Sequence, residues 1–162
     1  DGARPAMKTR RARPADVADL RRLMQRVQSR HAKAHPEVFR SRLKPRATER
    51  FFTELLADDR NLIVVAEDAG AVVGYIWCQE RLPADSFFAR PVHSAYIHHI
   101  SVDPRHRRTG VGRKLVKRAL RDMKARGITR VGVDFWTFNE PARAFFASFG
   151  FVVQREVCSM EM

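Results

Sequence analysis

A segment rich in glycine and arginine in the second half of the chain has the residue types of an anion-binding loop. It spans Arg107–Arg113, includes Gly110 and Gly112, and lies between a predicted strand ending in Val-Asp-Pro and a predicted helix. Glycine has no Cβ, so it lets the backbone approach a ligand closely and adopt left-handed conformations. The free N–H groups and the dipole of a helix N-terminus favour anions, and the arginines add positive charge. These features predict a cradle for a pyrophosphate group.

Two common phosphate-binding motifs do not fit this segment. A Walker A loop needs Gly-Lys followed by Ser or Thr, whereas Gly112 is followed by Arg113 and Lys114. A dinucleotide-binding fingerprint needs a third glycine three residues after Gly112, and that position is Leu115. The pattern that remains is Arg-x-x-Gly-x-Gly directly after a strand.

The elements that must position this loop can be predicted from hydrophobic periodicity and from turn residues. In chain order they are a strand over 8–13, a helix from Pro14 through Val27, a helix opening at Thr48, hairpin strands Asn61–Glu67 and Ala71–Gln79, a loop Leu82–Val92, a strand His93–Val102, a helix Gly110–Arg126, a strand Ile128–Phe138, a short helix starting at Asn139 and ended by Gly150, and a last strand Phe151–Val157. Strands that alternate with helices in the second half imply an α/β layer architecture.

The charge of the chain is strongly positive and unevenly distributed. Lys and Arg number 31 against 18 Asp and Glu, a net charge of +13, of which residues 1–60 carry +8 and residues 101–130 carry +9. Such clusters attract polyanions such as nucleic acid, phospholipid or a phosphorylated cofactor, although solvated helix faces are the alternative. Residues 101–130 contain no Phe, Tyr or Trp. That composition favours phosphate binding there over the stacking of bases.

Length and composition predict one globular domain, over residues 8–162. Residues 1–7 are expected to be a cloning remnant or a disordered start. No stretch approaches the roughly 20 apolar residues that span a bilayer, and no apolar signal region follows the basic start. The two cysteines, Cys78 and Cys158, have no spacing typical of a disulfide framework or of a zinc site. The sequence therefore predicts a cytoplasmic protein with reduced thiols, no bound metal and no membrane contact.

The cradle pattern resembles the acyl-CoA loop of the GCN5-related N-acetyltransferase (GNAT) superfamily. A second, distant match is the run Phe135–Asn139, then Ala142, the pair Phe145-Phe146, and Gly150-Phe151, which is similar to the closing segment of that family. The N-terminal segment around residues 11–16, with its Arg, Ala and Asp, is also typical of that family. The resemblance covers residues 8 to 157 and implies a three-layer α+β fold. Its central sheet would be mixed, mostly antiparallel and flanked by helices, with a splayed strand pair that opens a slot for acyl-CoA.

The resemblance also implies which residues contact acetyl-CoA as co-substrate. The backbone of the cradle strand would pair with the pantetheine arm, and the Val102 amide would also polarise the thioester carbonyl. The loop amides would hold the pyrophosphate, and an asparagine would lie near the pantetheine, although Asn139 would equally suit a helix N-cap. The expected cofactor-binding residues are Ile100, Ser101, Val102, Arg107, Arg108, Thr109, Gly110, Val111, Gly112, Arg113, Asn139 and Phe146.

The reaction that the resemblance implies is acetyl transfer to an amine, which needs a base because amines are mostly protonated at pH 7. Strand alternation places Tyr96, His98, Ile100 and Val102 on one face and His99 on the other. Relatives that acetylate arylalkylamines carry histidines at the positions of Tyr96 and His98, so His98 is the expected base, although a buried structural histidine is the alternative. Glu80, at the end of the preceding strand, is the second candidate.

The sequence departs from the family at the usual general acid. That residue is a tyrosine at the second aromatic of the closing pair, and here it is Phe146, which has no proton to give. A thiol has a pKa near 8.5, so its thiolate is an acceptable leaving group without a general acid. Tyr75 and Tyr96 are the alternative candidates for a general acid.

The acceptor site of this family is built from the first helices and from the loop before the cradle strand. Here these are residues 31–40 and Leu82–Val92, in which Phe87 and Phe88 are expected either to line the slot or to pack elsewhere. His31 and His35 have metal-binding spacing, but with no further ligand in sight a solvated helix end is expected. The acceptor is expected to be a small-molecule or peptide amine. The alternatives are a nucleic-acid-linked or ribosomal acceptor, or a non-catalytic module that senses acyl-CoA or binds nucleic acid. Dimers are common in the family.

Overall fold

The computed structural model describes residues 7–162, so residues 1–6 of the predicted remnant or disordered start 1–7 lie outside them. Met7 packs against the apolar core, so its inclusion in that segment was wrong. Five strands form one sheet in chain order: β1 Lys8–Arg11, β2 Asn61–Asp68, β3 Ala71–Arg81, β4 Ser94–Val102 and β5 Arg130–Val133. Neighbouring strands are antiparallel except β4 and β5, which are parallel. The predicted hairpin is confirmed, with β2 and β3 joined at Ala69 and Gly70, which both have positive φ.

Within residues 7–162, four α-helices flank this sheet, and two short 3-10 turns, Pro14–Asp16 and Pro104–His106, precede the first helix and the loop 107–110. The helices are α1 Val17–Ala34, α2 Pro45–Ala57, α3 Val111–Ala125 and α4 Glu140–Ala147. α1 is longer than predicted, and α2 begins three residues earlier, at Pro45, where the missing N–H of proline costs nothing. The result is the predicted mixed, mostly antiparallel sheet between layers of helices.

Two apolar cores lie on opposite faces of the sheet because successive strand residues alternate. Val64 belongs to the core that α3 covers, and Val65 belongs to the core that α1 and α2 cover. The first core includes Leu115 and Met123 of α3 and also Phe146 of α4. Each fully buried side chain of this size contributes roughly 1.5–3 kcal/mol to folding. The sheet is therefore a rigid platform between α1 and α3.

β4 and β5 separate part-way along their length. Their pairing runs only from Ser94 with Arg130 to Ile97 with Val133. β4 continues to Val102 alongside β3, whereas the chain of β5 leaves the sheet after Val133. The predicted strand Ile128–Phe138 was therefore too long, because its second half has no partner strand. The separation opens one edge of β4 from His98 onward, as the resemblance implied.

A β-bulge at His98 overturns the predicted alternation of side chains along β4. Trp77 pairs with His99 and Cys78 pairs with Ile97, so His98 is the extra residue between them. The bulge shifts the side-chain pattern by one residue. Ile97 and Ile100 consequently both pack in the core under α3, while His98 and His99 both contact the Trp77 ring on the opposite face. The prediction that His98 shares a face with Ile100, opposite His99, was wrong.

The predicted last strand Phe151–Val157 is also wrong. Residues 151–162 form no strand or helix, and Val152, Val153 and Val157 are exposed. A β-rich sequence forms a strand only where a partner edge accepts its hydrogen bonds, and in the described part of the chain β5 extends only to Val133. Within residues 7–162, no helix is long and apolar enough to cross a lipid bilayer.

Candidate active site

A cavity of about 240 Å³ lies where β4 and β5 separate, between α1 and α4. Its floor is formed by β4, its sides by α1 and by the segment after β5, and its far end by α4. The lining residues are Met24, Val27, Gln28, His31, Phe39, Ile97, His98, His99, Ile100, Val133, Asp134, Phe135, Trp136, Asn139, Ala142 and Phe146. Four residues predicted from the sequence, His98, Ile100, Asn139 and Phe146, therefore meet at one cavity.

His98 is held in place by the bulge and by two contacts. Its ring stacks on Trp77 with 4.2 Å between the ring centroids, and its Nε2 lies 3.2 Å from Gln79 Oε1. Because a carbonyl oxygen only accepts, Nε2 carries the hydrogen and Nδ1 keeps a lone pair. Burial, and to a smaller degree the charge of Arg81, lower the pKa of His98 below its usual value. His98 is thus a neutral histidine with one free nitrogen.

Glu80, the second candidate base, lies away from this cavity. Its carboxylate is 2.6 Å from His93 Nε2 and 3.0 Å from the guanidinium of Arg126. These two hydrogen bonds hold the pKa of Glu80 below its usual value, and the hydrogen bond with His93 has the larger effect. Glu80 ties the end of β3 to the segment before β4 and to the end of α3, and both of its oxygens are already engaged.

The cradle loop, residues 107–113, has the backbone geometry that its sequence predicts. Arg108 and Gly110 adopt left-handed conformations, with φ of 61° and 86°. The first helical bond of α3 runs from the Lys114 N–H to the Gly110 carbonyl, so the amides of residues 111–113 precede it and are open for an anion. A Cβ on Gly112 would lie 3.3 Å from the Phe145 ring. The glycine therefore allows α3 and α4 to approach closely beside the cradle.

Several side chains of the predicted binding set are committed to the protein itself. Val111 is fully buried in the core, and the Ser101 hydroxyl donates to the Leu23 carbonyl of α1 at 2.9 Å. The Thr109 hydroxyl donates to the His106 carbonyl, and the Arg113 guanidinium lies over the Phe149 ring. A ligand would therefore meet the backbone of these residues. The Arg107 and Arg108 side chains are exposed.

Asp103 fixes the start of the cradle to α1. Its side chain is 3% exposed, accepts from the Arg105 amide at 3.1 Å, and lies 3.2 Å from Arg22 Nη1 of α1. The hydrogen bond from the Arg105 side chain, followed by that from its amide, lowers the pKa of Asp103 to about 2. The sequence marked Asp103 only as the end of a strand. In the structure it is an ionised anchor for the loop.

The open edge of β4 presents backbone amides toward the gap. The Asp103 N–H donates to the Val73 carbonyl on the β3 side at 2.8 Å. Because consecutive amides of a strand point to opposite edges, those of Val102 and Ile100 face away from β3. This is the edge from which β5 has departed, so an extended ligand could pair with β4 there.

Asn139 and Phe146 close the far end of the cavity. Asn139 occupies the N-cap position of α4 but makes no side-chain cap bond, and its buried Oδ1 has no hydrogen-bond partner. The capping alternative therefore does not account for its side chain. Phe146 is 3% exposed and packs against Phe135 and Phe151. Of the alternative acids, Tyr75 is fully buried and Tyr96 lies beside Arg81, and neither lines the cavity.

The acceptor side of the cavity is a cluster of rings from two segments. The His31 ring lies 5.1 Å from Phe39, and the His35 ring lies 4.7 Å from Trp136. Neither histidine is the solvated helix end that was expected, because both rings pack in this cluster. Among residues 7–162, no group of three or more His, Cys, Asp or Glu could hold a metal ion.

The loop Leu82–Val92 does not line the cavity. Phe87 and Phe88 contact each other and are otherwise exposed. The residues that line the acceptor side in their place, Asp134 and Trp136, were assigned to a strand interior in the sequence interpretation. Only the end of β5 at Val133 brings them to the cavity, so no local signal could have identified them.

Comparison with known proteins agrees with this arrangement. A family model described as the acetyltransferase (GNAT) family matches residues 22–151. The chain belongs to this family. This is a family of acetyltransferases, which agrees with the predicted acyltransferase activity.

Individual GNAT relatives support the fold. A mycothiol acetyltransferase from Thermobispora bispora is 32% identical over 87 residues, which cover 54% of this chain but only 28% of that protein. A mutant of protein BH1408 from Bacillus halodurans has a TM-score of 0.89 at 23% identity, covering 96% of this chain and 99% of that one. The aminoglycoside N-acetyltransferase AAC(6')-Iy in complex with CoA has a TM-score of 0.76 at 19% identity, covering 97% of this chain and 95% of that one.

Proposed function

We propose that this protein transfers the acetyl group of acetyl-CoA to a primary amine by direct attack on the thioester. The observation that carries the proposal is the continuity of three parts: the cradle loop, the open edge of β4, and the cavity that contains His98. Val102 connects them, because it ends β4 and its side chain lies beside Gly112 of the cradle loop. Each part matches one portion of an acyl-CoA: its phosphates, its extended arm and its reactive end.

The residues present fit the co-substrate. The pantetheine arm contains amide groups, and Asn139 offers a buried Oδ1 without a partner at the cavity wall. Unpartnered buried polar atoms are rare in folded proteins, and a ligand N–H would satisfy this one. The amides of residues 108–113 would hold the pyrophosphate, and the amides of Ile100 and Val102 would pair with the arm. Acetyl-CoA, when bound, supplies the acetyl thioester.

We assign the proton transfer to His98. Its free Nδ1 would take a proton from the acceptor ammonium, directly or through water, and leave the amine nitrogen with a lone pair. That nitrogen then forms a C–N bond as the C–S bond breaks, and the proton released from the new amide nitrogen passes through solvent to the leaving thiolate. The Val102 N–H, on the open edge of β4, would stabilise the charge that develops on the carbonyl oxygen. Because Phe146 cannot donate a proton, the thiolate would depart without a general acid at that position.

The acceptor we propose is the amine of a small molecule or peptide, since the cavity admits only the end of a larger body. Aminoglycosides, the substrate named for a structural neighbour, carry several ammonium groups. Asp134 is the one carboxylate among the described lining residues, and the surface beside the cavity carries the exposed cations Arg30, Lys33 and Arg40. Like charges repel, so this site is poorly matched to a polycationic acceptor.

Acetyl-CoA is expected to raise the melting temperature by about 5–10 °C when present at about 100 times its dissociation constant. Binding at that ratio adds about 2.7 kcal/mol to the free energy of unfolding, and each kcal/mol corresponds to roughly 2–4 °C for a chain of this size. Thermal unfolding in moderate salt measures the shift. S-acetyl-cysteamine, which has the thioester but no phosphates, is the control and should give almost no shift. The proposal would be contradicted if neither CoA nor acetyl-CoA changed the melting temperature.

Asn139→Ala is expected to weaken acetyl-CoA binding about 5- to 10-fold while leaving the free protein's melting temperature nearly unchanged. Its Oδ1 has no partner in the free protein, so the substitution removes a hydrogen bond only from the complex. Titration calorimetry measures the affinity. Thr137→Ala, an exposed position in the same segment, is the matched control and should bind normally. A large loss of stability with unchanged affinity would assign Asn139 a purely structural role.

A further inference from the structure

The surface beside the acceptor side of the cavity is strongly basic. We call residues 30–46, from the end of α1 to the start of α2, the basic rim. The rim has six exposed cationic side chains: Arg30, Lys33, Arg40, Arg42, Lys44 and Arg46. It contains a single acidic residue, Glu37, whose carboxylate is already bound 2.8 Å from His35 Nδ1. The rim therefore presents an uncompensated positive surface to solvent.

Hydrogen bonds from two glutamine side chains of α1 to backbone groups of the rim hold it next to the cavity. Gln28, which lines the cavity, donates to the Arg40 carbonyl at 2.7 Å, and Gln25 donates to the Ser41 carbonyl at 2.8 Å. Gln25 Oε1 also accepts from the Leu43 amide at 2.9 Å. These contacts fix the backbone and leave the Arg40 and Arg42 side chains exposed. The positive charge is thus positioned by the fold one residue from the cavity wall.

The rim is separate from the cradle that would hold the phosphates of acetyl-CoA. Arg22, near the start of α1, contacts Asp103 at the cradle, whereas His31, near its end, lines the acceptor side. At 1.5 Å per residue, Arg22 and Lys33 lie about 16 Å apart along the helix. The cations of the rim therefore face whatever enters from the acceptor side.

Aromatic rings lie between the rim and the cavity. Phe39 is part of the rim, and its ring centroid lies 5.3 Å from that of Trp136, a residue that is 39% exposed. Residues 101–130 lack such rings, whereas in the rim Phe39 directly precedes the exposed Arg40. Partly exposed rings beside cations suit a flat or ring-bearing body that also carries negative charge.

The charge reverses at the cavity wall. Asp134 is the one ionisable Asp, Glu, Lys or Arg side chain among the described lining residues, and it is exposed on the acceptor side. This carboxylate and the six cations farther out favour a ligand whose ammonium group faces the cavity and whose anionic portion lies outside. Arginine also binds phosphate in a bidentate geometry that lysine cannot provide, and four of the six cations are arginines.

We propose that the acceptor is a primary amine whose carrier bears phosphate groups, and that Arg40 and Arg42 of the basic rim bind those phosphates. This inference rests on the proposed function and adds the chemical class of the acceptor. The same chemistry occurs in a small phosphorylated amine and in an amine attached to the end of an RNA strand. Both place a phosphate outside the cavity while the amine reaches His98.

A matched series of three amines tests the proposal: 6-aminohexanol, 6-aminohexyl phosphate, and a short single-stranded RNA with a 5′-aminohexyl group. The reacting amine and its linker are the same in all three. We expect kcat/KM to rise about ten-fold from the alcohol to the phosphate, and this gain to shrink as salt is added. A further steep, salt-dependent rise with the RNA would identify a nucleic acid as the source, and no further rise would identify a small phosphorylated amine.

Charge-removing variants locate the site. Arg40→Gln combined with Arg42→Gln should remove most of the gain due to phosphate and leave kcat/KM for aminohexanol unchanged, because the rim is held by backbone groups. Lys117→Gln combined with Lys124→Gln removes the same charge from the exposed face of α3 and should preserve the gain. Affinity for acetyl-CoA, measured in parallel, should be equal in both double variants.

Equal kcat/KM for the alcohol and the phosphate would overturn the proposal and leave the amine acetyltransferase function standing. Equal loss in both double variants would overturn it as well, since a general effect of net charge would then explain the gain. Fluorescence anisotropy of the labelled RNA with the CoA-bound protein provides a readout without turnover. Binding lost only in the rim variant, with none of the amines acetylated, would support the rim and refute the proposed function. No binding and no acetylation would overturn both.

Discussion

Replacing His98 with glutamine is expected to lower kcat/KM about 100-fold at neutral pH, within the range that general-base catalysis contributes. Glutamine can still hydrogen-bond to Gln79, but it cannot accept a proton at neutral pH. The loss should therefore appear mainly in kcat, with acetyl-CoA binding almost unchanged. Steady-state kinetics with any accepted amine, alongside the thermal shift with acetyl-CoA, measures the two effects separately.

The pH profile distinguishes a base from a residue that only supports the site. A histidine base works in its neutral form, so the rate falls as pH drops through its pKa. Burial and the Arg81 charge lower the pKa of His98, so the acidic limb of the rate profile should lie below the pH 6.5 of an ordinary histidine. The limb should vanish in His98→Gln.

Glu80→Gln is the control for the competing base. Glu80 is hydrogen-bonded to His93 and Arg126 outside the cavity, so its replacement should reduce stability but keep the acidic limb. An unchanged limb in His98→Gln would refute the assignment to His98. Loss of the limb in Glu80→Gln would transfer the role to Glu80.

The location of His98 illustrates why some of the site could not be predicted. Alternation along β4 predicts opposite faces for His98 and His99, and a single extra residue between the partners of Trp77 and Cys78 changes that. The bulge depends on how β4 pairs with β3, which is a long-range property. The sequence could therefore name the residue but not its surroundings.

Features set by neighbouring residues were predicted well. The turn at Ala69 and Gly70, the amphipathic helix α3 and the cradle loop each follow from glycine positions and apolar spacing over a few residues. The end of β5 at Val133, in contrast, is set by long-range structure, because the pairing with β4 stops at that residue. Asp134 and Trp136 reach the cavity only because β5 ends there, so their role needed the tertiary structure.

The charge of the acceptor side also could not be predicted from the sequence alone. Residues 1–60 carry a large positive charge, but the sequence does not distinguish cations neutralised by neighbours from free ones. In the structure Arg10 is bound to Asp16 and Glu67, and Arg22 is bound to Asp19 and Asp103. The exposed cations remain concentrated in the basic rim, which is why the rim and not the whole N-terminal third carries the inference about the acceptor.

The free energy of unfolding is expected to fall by about 3 kcal/mol as the pH drops from 7 to 4, because of His99. This histidine is half-buried at the wall of the cavity, with Nδ1 3.3 Å from the Tyr75 hydroxyl. Burial, and to a lesser degree the charges of His98 and His31, lower its pKa to about 4. Between pH 6.5 and 4 the unfolded chain binds a proton that the folded protein excludes, so stability is lost as pH falls through that window. A shift of about 2.5 pKa units at 1.36 kcal/mol each gives the magnitude.

The pH window separates this effect from that of the carboxylates. Groups such as Asp103, with a pKa of about 2, lose their stabilising interactions only below the ordinary carboxyl range near pH 4. Urea unfolding at intervals between pH 7 and 4.5 therefore reports mainly on histidines. His99→Asn keeps a polar side chain but cannot titrate, so it should flatten the pH dependence whatever it does to absolute stability. An equal slope in His99→Asn and the parent protein would mean that His99 takes up its proton equally readily in the folded and unfolded states, which would refute the prediction.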